Sequence, residues 1–122
     1  MIEWLLQTPA GRLVEQRLFS TAQVLCAPHL LDLEVAQVLR RLTRDGAISD
    51  RRADEAIADL LSVRIARYPH LLLVPRIWQL RHTLSAYDAS YVALAESLGA
   101  TLLTRDSRLA AASGHTAKVE LF

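Results

Sequence analysis

The chain has 122 residues, enough for one domain at roughly 100–200 residues per domain and too few for a second, so residues 1–122 are expected to form a single domain. Apolar residues make up 52% and charged residues 22%, with only 4 Gly and 4 Pro, which excludes a disordered tail, a collagen-like fibre and a low-complexity linker. Lys and Arg total 14 against 13 Asp and Glu; a net charge of +1 exerts no overall pull on nucleic acid, so polyanion binding has to come from local arrangement.

Cys26 is the single cysteine, cannot form a disulfide within the chain, and fits a reducing compartment. No apolar run approaches the ~18 residues that a membrane span requires. Met1-Ile2-Glu3-Trp4 lacks the charged and then apolar regions of a signal peptide. The expectation is a soluble cytoplasmic protein without membrane contact.

In chain order, Thr8-Pro9 resembles an N-cap followed by proline in the first helical turn, and Leu13, Val14, Arg17 and Leu18 carry a helix to about Phe19. Val24-Leu25-Cys26-Ala27, closed by Pro28, predicts a short buried strand. A helix from about Leu30 to Arg44 carries Leu31, Val35, Val38, Leu39 and Leu42 on one face, with Gly46 just beyond. Ser49 can cap the next, whose stripe is Ala53, Ile57, Leu60 and Leu61. Val63 to Tyr68 predicts a strand before Pro69, and Leu73, Ile77, Leu80 and Leu84 a further helix.

Ser85 opens a helix with Tyr91, Val92, Ala95 and Leu98 inside and Gly99 as C-cap. Thr101 to Thr104 predicts a strand, Arg105-Asp106-Ser107 leads into a helical turn through Ala112, and Lys118 to Phe122 predicts a last strand. Short strands separated by helices argue for a parallel sheet covered on both faces, an α/β class.

Three carboxylates stand out against this background. Glu34 follows Leu31 by three residues and precedes Val38 by four, so it projects from the apolar stripe. It is either a boundary residue that reaches solvent or pairs with Arg41 or Arg44, or a cation ligand, since a core-facing carboxylate is costly without a partner. Asp88 leads the stripe Asp88, Tyr91, Val92, Ala95, while Ser85-x-x-Asp88 also resembles a capping box. Asp106 follows a strand and precedes a helical turn, so it is either an ordinary N-cap or a site residue at the strand edge where α/β sheets bind ligands, with the Thr104 hydroxyl beside it. Together they describe an acidic pocket. Converging carboxylates repel one another, a divalent metal relieves that repulsion, and all-oxygen ligation suits Mg²⁺ or Mn²⁺. The four histidines are scattered, and no glycine-rich phosphate loop or nucleophile elbow is present.

Ala27 to Val35 (APHLLDLEV), Leu84 to Glu96 (LSAYDASYVALAE) and Leu102 to Asp106 (LLTRD) resemble, in order and spacing across essentially the whole chain, a PIN-domain ribonuclease of the VapC toxin type. The most specific segment is Tyr87-Asp88-Ala89 followed by Thr104-x-Asp106. The resemblance implies a helix-rich three-layer α/β/α sandwich with a parallel sheet, a pocket of acids holding Mg²⁺ (or Mn²⁺), and metal-dependent endonucleolytic hydrolysis of RNA phosphodiester bonds. It also implies a homodimer and silencing by a VapB-type antitoxin whose tail enters the pocket. By position, Glu34, Asp88 and Asp106 match the second, third and fourth acids of the family, all as metal ligands, and Thr104 the hydroxyl that accompanies the fourth. Arg105 or Arg108 could hold the RNA backbone.

The family's first acid lies at the end of its first strand, immediately before the segment matching Ile2-Glu3-Trp4-Leu5, so that strand and acid are expected upstream of residue 1. Glu3 belongs by register to the following helix and is no substitute. The competing expectation is a catalytically degenerate PIN-like module that binds an antitoxin or a sister subunit. A receiver-like or nucleotide-binding domain fits less well, because the phosphate loops are missing.

Overall fold

The computed structural model describes residues 24–121 and, before them, Gln16. The expected helix from Thr8 to Phe19, the segment Ile2-Glu3-Trp4-Leu5 and the final residue Phe122 lie outside the described residues. The chain divides into two compact units, Met1–Ala66 and Arg67–Phe122.

In the first unit, β1 (Leu25–Pro28) leads through His29 into α1 (Leu30–Arg44). The helix buries Val35 and Leu39, and Asp32 in its first turn and Arg41 and Arg44 in its last complement the helix dipole. It ends where Gly46 adopts φ 74°, so that the Gly46 N–H reaches the Thr43 carbonyl (3.1 Å) and the Ala47 N–H the Leu42 carbonyl (2.9 Å), satisfying carbonyls that the helix leaves over. Ser49 then caps α2 (Asp50–Ser62), its side chain accepting from the Arg52 N–H at 3.1 Å. Val35, Leu39, Ala56 and Leu60 form the core, with Leu31, Ile48 and Ile57 against it. β2 (Ile65–Tyr68), whose first two residues close this unit, is the hydrogen-bonded neighbour of β1.

In the second unit a 3-10 turn (Leu71–Leu73) runs into α3 (Val74–Gln79), with Pro75 in its first turn where a missing N–H does no harm. α4 (Ala86–Leu98) starts at Ser85, whose hydroxyl accepts from the Asp88 N–H at 3.1 Å, and ends at Gly99 with φ 61°. It buries Ala89, Ser90, Val92, Ala93, Leu94 and Ala95, and the Ser90 hydroxyl is satisfied by the Tyr87 carbonyl at 2.6 Å. β3 (Thr101–Thr104), α5 (Ser107–Ala111) and β4 (Lys118–Leu121) follow; β4 pairs parallel with β3 from Thr101↔Lys118 to Thr104↔Leu121. Leu80, Leu84, Ala89, Val92 and Leu109 form this unit's core.

Among the described residues the strands form two hydrogen-bonded pairs, β1–β2 and the parallel β3–β4. Several expectations for individual elements need correction. The helix expected through Leu84 stops at Gln79, because the Leu80 N–H bonds to the carbonyls of both Arg76 and Ile77 and the chain turns. Leu80 and Leu84 are nonetheless buried, so their spacing reports burial without helix. Leu61, expected in the α2 stripe, is exposed, and the buried place belongs to Ala56. Leu98 is exposed at the end of α4, and in the strand expected to be buried Cys26 faces outward.

Candidate functional site

Asp88 is half-buried in the first turn of α4, at the positive end of the helix dipole. Its backbone N–H is the group that Ser85 caps; among the described residues its carboxylate makes no hydrogen bond or ion pair, so the reciprocal half of a capping box is not formed.

Thr104 and Asp106 are joined directly. β3 ends in Thr104, whose Oγ1 accepts a hydrogen bond from the Asp106 N–H at 3.0 Å. Asp106 Oδ1 in turn accepts from the N–H groups of Arg108 (2.9 Å) and Leu109 (3.4 Å), capping α5. The Arg108 Nε lies 3.9 Å from the same oxygen, but its side chain is 95% exposed and the contact is screened. One carboxylate oxygen is thus engaged in structure, while Oδ2 has no hydrogen bond among the described residues. Leu109 shares a core with Ala89, the residue after Asp88, so the starts of α4 and α5 are held by one apolar cluster at the carboxyl end of β3. That is the edge at which parallel α/β sheets bind ligands.

Glu34 lies in the first unit, on α1, and is exposed, in keeping with the boundary position that is one of its two sequence alternatives. The buried line runs through Val35 and Leu39, and Glu34 is rotated about 100° from Val35 onto the flank of the stripe. The groove of about 320 Å³ between α1 and α2 is lined by Ala36, Leu39, Arg40, Asp50 and Asp54 among others, without Glu34. Among the described residues no three His, Cys, Asp or Glu side chains are grouped closely enough to hold a metal. The second unit carries Asp88 at the start of α4 and Thr104 and Asp106 at the carboxyl end of β3, and Glu34 belongs to the first unit. The donors at that edge are carboxylate and hydroxyl oxygens, a set that fits a hard divalent cation and not a thiophilic one.

Sequence reasoning missed the strongest polar feature of this unit. Arg76 on α3 grips Glu96 on α4 with two hydrogen bonds of 3.0 Å, from Nε to Oε1 and from Nη2 to Oε2. Nη2 also donates to the Gly114 carbonyl at 3.0 Å, and Glu96 Oε2 accepts from the Thr116 N–H (3.2 Å) and hydroxyl (2.9 Å). The guanidinium above all, with help from Thr116, holds the Glu96 carboxyl down at about 2 against an ordinary 4.5. This clamp fastens the segment before β4 and so the partner strand of β3. A separation of twenty residues leaves no periodic signal by which it could have been found.

The profile of the PIN domain family matches residues 1–114. The chain is a PIN domain. This PIN domain is 49% identical over 96 residues to Ribonuclease VapC1 of Mycobacterium tuberculosis, an alignment covering 78% of this chain and 72% of that protein. To Ribonuclease VapC12 of the same organism it is 39% identical over 120 residues, 98% of this chain and 92% of the relative. To VapC ribonuclease Mb0985 of Mycobacterium bovis it is 43% identical over 95 residues, 78% and 75% of the two chains. The PIN domain therefore belongs with the VapC proteins, and the helix-rich α/β/α class expected from its sequence is the class of its family. No helix among the described residues is long and apolar enough to cross a membrane.

Proposed function

We propose that this PIN domain is the toxin of a toxin–antitoxin pair and an endoribonuclease that hydrolyses RNA phosphodiester bonds with a divalent metal, Mg²⁺ or Mn²⁺. The observation that carries the reading is the family match over residues 1–114 together with relatives named VapC ribonucleases at 39–49% identity.

Asp88 is assigned as a direct metal ligand, with Glu34 and Asp106 completing the sphere directly or through water. Held by these residues, a divalent cation would supply Lewis-acid polarisation of the scissile phosphate and a lowered pKa for the attacking water. The chain's own residues prepare for that chemistry. The Asp88 carboxylate has no hydrogen bond or ion pair among the described residues and so is available to bind, and Asp106 offers Oδ2 because Oδ1 is held by α5. The Thr104 hydroxyl fixes the Asp106 backbone and so aims its carboxylate. Either Asp106 or Glu34 can orient or deprotonate the water. The resemblance supports two protein partners as well, a VapB-type antitoxin that blocks the acidic edge and a second copy of the chain in a homodimer.

The test is cleavage of an unstructured RNA oligonucleotide. EDTA is expected to stop the reaction and added Mg²⁺ or Mn²⁺ to restore it. Asp88→Asn is expected to reduce cleavage by at least about 100-fold, around 2.7 kcal/mol of barrier, with an unchanged thermal midpoint. Wild-type cleavage by Asp88→Asn removes Asp88 from the site. A native protein that neither binds Mn²⁺ nor cleaves RNA replaces the enzyme with the binding-module reading.

A further inference from the structure

The segment leading into α4 carries chemistry that the metal site does not use. Residues 60–87 contain no Asp or Glu, while Arg64, Arg67, Arg76 and Arg81 lie within them. Arg76 is neutralised by Glu96. Arg81 has no ion pair among the described residues; its guanidinium lies over the Trp78 ring, 4.6 Å from the centroid, and its Nη1 donates to the Trp78 carbonyl at 2.8 Å. These two contacts fix the guanidinium against the indole. Trp78 is still 65% exposed, so with Arg81 on one face the other face is open to solvent.

The pair sits at the end of the unit where α4 begins. Leu80 packs into the core with Leu84, Ala89 and Val92, and Trp78 and Arg81 flank Leu80 in sequence. Ser85, Asp88 and the exposed Tyr87 start the helix against which that turn is packed.

An open indole face backed by a fixed guanidinium matches one ligand chemistry well. An unpaired base stacks on the ring while the adjacent phosphate meets the cation, whereas a duplex offers neither a free base face nor a deformable backbone. We infer that Trp78 and Arg81 form a platform that holds an unpaired RNA base and its phosphate beside the cleavage site, positioning the strand without touching the reacting atoms; this rests on the RNA-cleaving reading above. Exposed Leu71, Leu72 and Val74 on the same segment make a second copy of the chain the competing occupant. An isologous contact through this face would set each copy's Arg81 guanidinium against that of its partner, which disfavours it.

The experiment measures binding of a labelled single-stranded RNA of about twelve nucleotides in EDTA, where nothing is cleaved, together with sedimentation and steady-state cleavage in Mg²⁺. Trp78→Ala is expected to bind about tenfold more weakly and to raise KM by a similar factor with kcat little changed, while Trp78→Phe stays within about threefold of wild type. Arg81→Gln is expected to lower the slope of log affinity against log salt by about 0.7. If the wild type cleaves RNA and Trp78→Ala binds it equally tightly, the platform falls and the nuclease stands. If Trp78→Ala turns a dimer into a monomer with RNA affinity unchanged, the face belongs to a second copy and the platform falls. If the wild type neither binds nor cleaves RNA, the nuclease reading fails and the platform with it.

Discussion

Replacing Glu96 by Gln tests how the edge bearing Thr104 and Asp106 is held. Glutamine keeps the volume and one acceptor but turns an amide donor toward Arg76 and removes the charge that accepts two 3.0 Å guanidinium bonds and two from Thr116. The wild-type carboxyl titrates at about 2, against 4.5 ordinarily, because of the Arg76 hydrogen bonds first of all. Linkage converts that difference into a ceiling of about 3 kcal/mol, and because the Arg76 side chain is 33% exposed the screened contribution is about 2 kcal/mol. A depressed carboxylate stabilises fully above its unfolded value and loses that effect as pH falls through its folded value, so the window runs from about pH 5 down to pH 2. Urea unfolding at pH 7 should show Glu96→Gln less stable by about 2 kcal/mol, roughly 6–10 °C in thermal midpoint for a domain of this size. At pH 3 the gap should shrink by more than half. A gap of equal size at both values, or one under about 0.5 kcal/mol at pH 7, refutes the assignment of the clamp to a charged pair.

Two further substitutions probe the site and the core. Asp106→Ala removes the cap of α5 and is expected to cost about 1 kcal/mol in denaturant unfolding, whereas Asp106→Asn keeps an oxygen for the Arg108 and Leu109 N–H groups and should unfold like wild type. If Asp106 also serves the metal, Asp106→Asn nonetheless loses cleavage, which separates the two roles. Leu60→Ala empties the centre of the first unit, where Leu60 is only 2% exposed, and should destabilise by 2–5 kcal/mol in the same assay.

Much of this architecture was legible because local rules and tertiary packing agree. The α1 stripe, the Ser49 and Ser85 caps and the Gly46 and Gly99 stops each follow from one residue's own chemistry, and the structure places them where that chemistry predicts. The failures share a different cause. Hydrophobicity favoured Leu61 over Ala56, but the face of α2 that joins the cluster with Val35 and Leu39 runs through Ala56 and Leu60, so rotation about the helix buries the alanine and exposes Leu61. The sequence leaves Glu34 between a boundary residue and a core-facing ligand, since i+3 and i+4 spacing brackets a face about 100° wide without locating its centre, and its exposure agrees with the boundary position. At Asp106 both sequence alternatives remain compatible with the structure: Oδ1 is an N-cap and the other oxygen is available. The Arg76–Glu96 clamp joins elements that no local pattern connects, and only the folded chain displays it.

The β3–β4 register bears on how the chain folds. Thr101 meets Lys118 across seventeen residues, whereas β1 (Leu25–Pro28) and β2 (Ile65–Tyr68) are brought together across about forty. By loop-closure entropy the longer excursion costs about 0.8 kcal/mol more before any contact rewards it. The shorter ladder is also reinforced on closing, since the clamp from Arg76 and Glu96 grips the segment just ahead of β4. The second unit should accordingly nucleate the domain and the first condense later. Pulsed hydrogen exchange during refolding would then find the amides of α4 and β3 protected ahead of those in β1, and simultaneous protection would mean that the longer loop sets the pace for both. A folding order of this kind completes the unit that carries Asp88, Thr104 and Asp106 before the helix that carries Glu34.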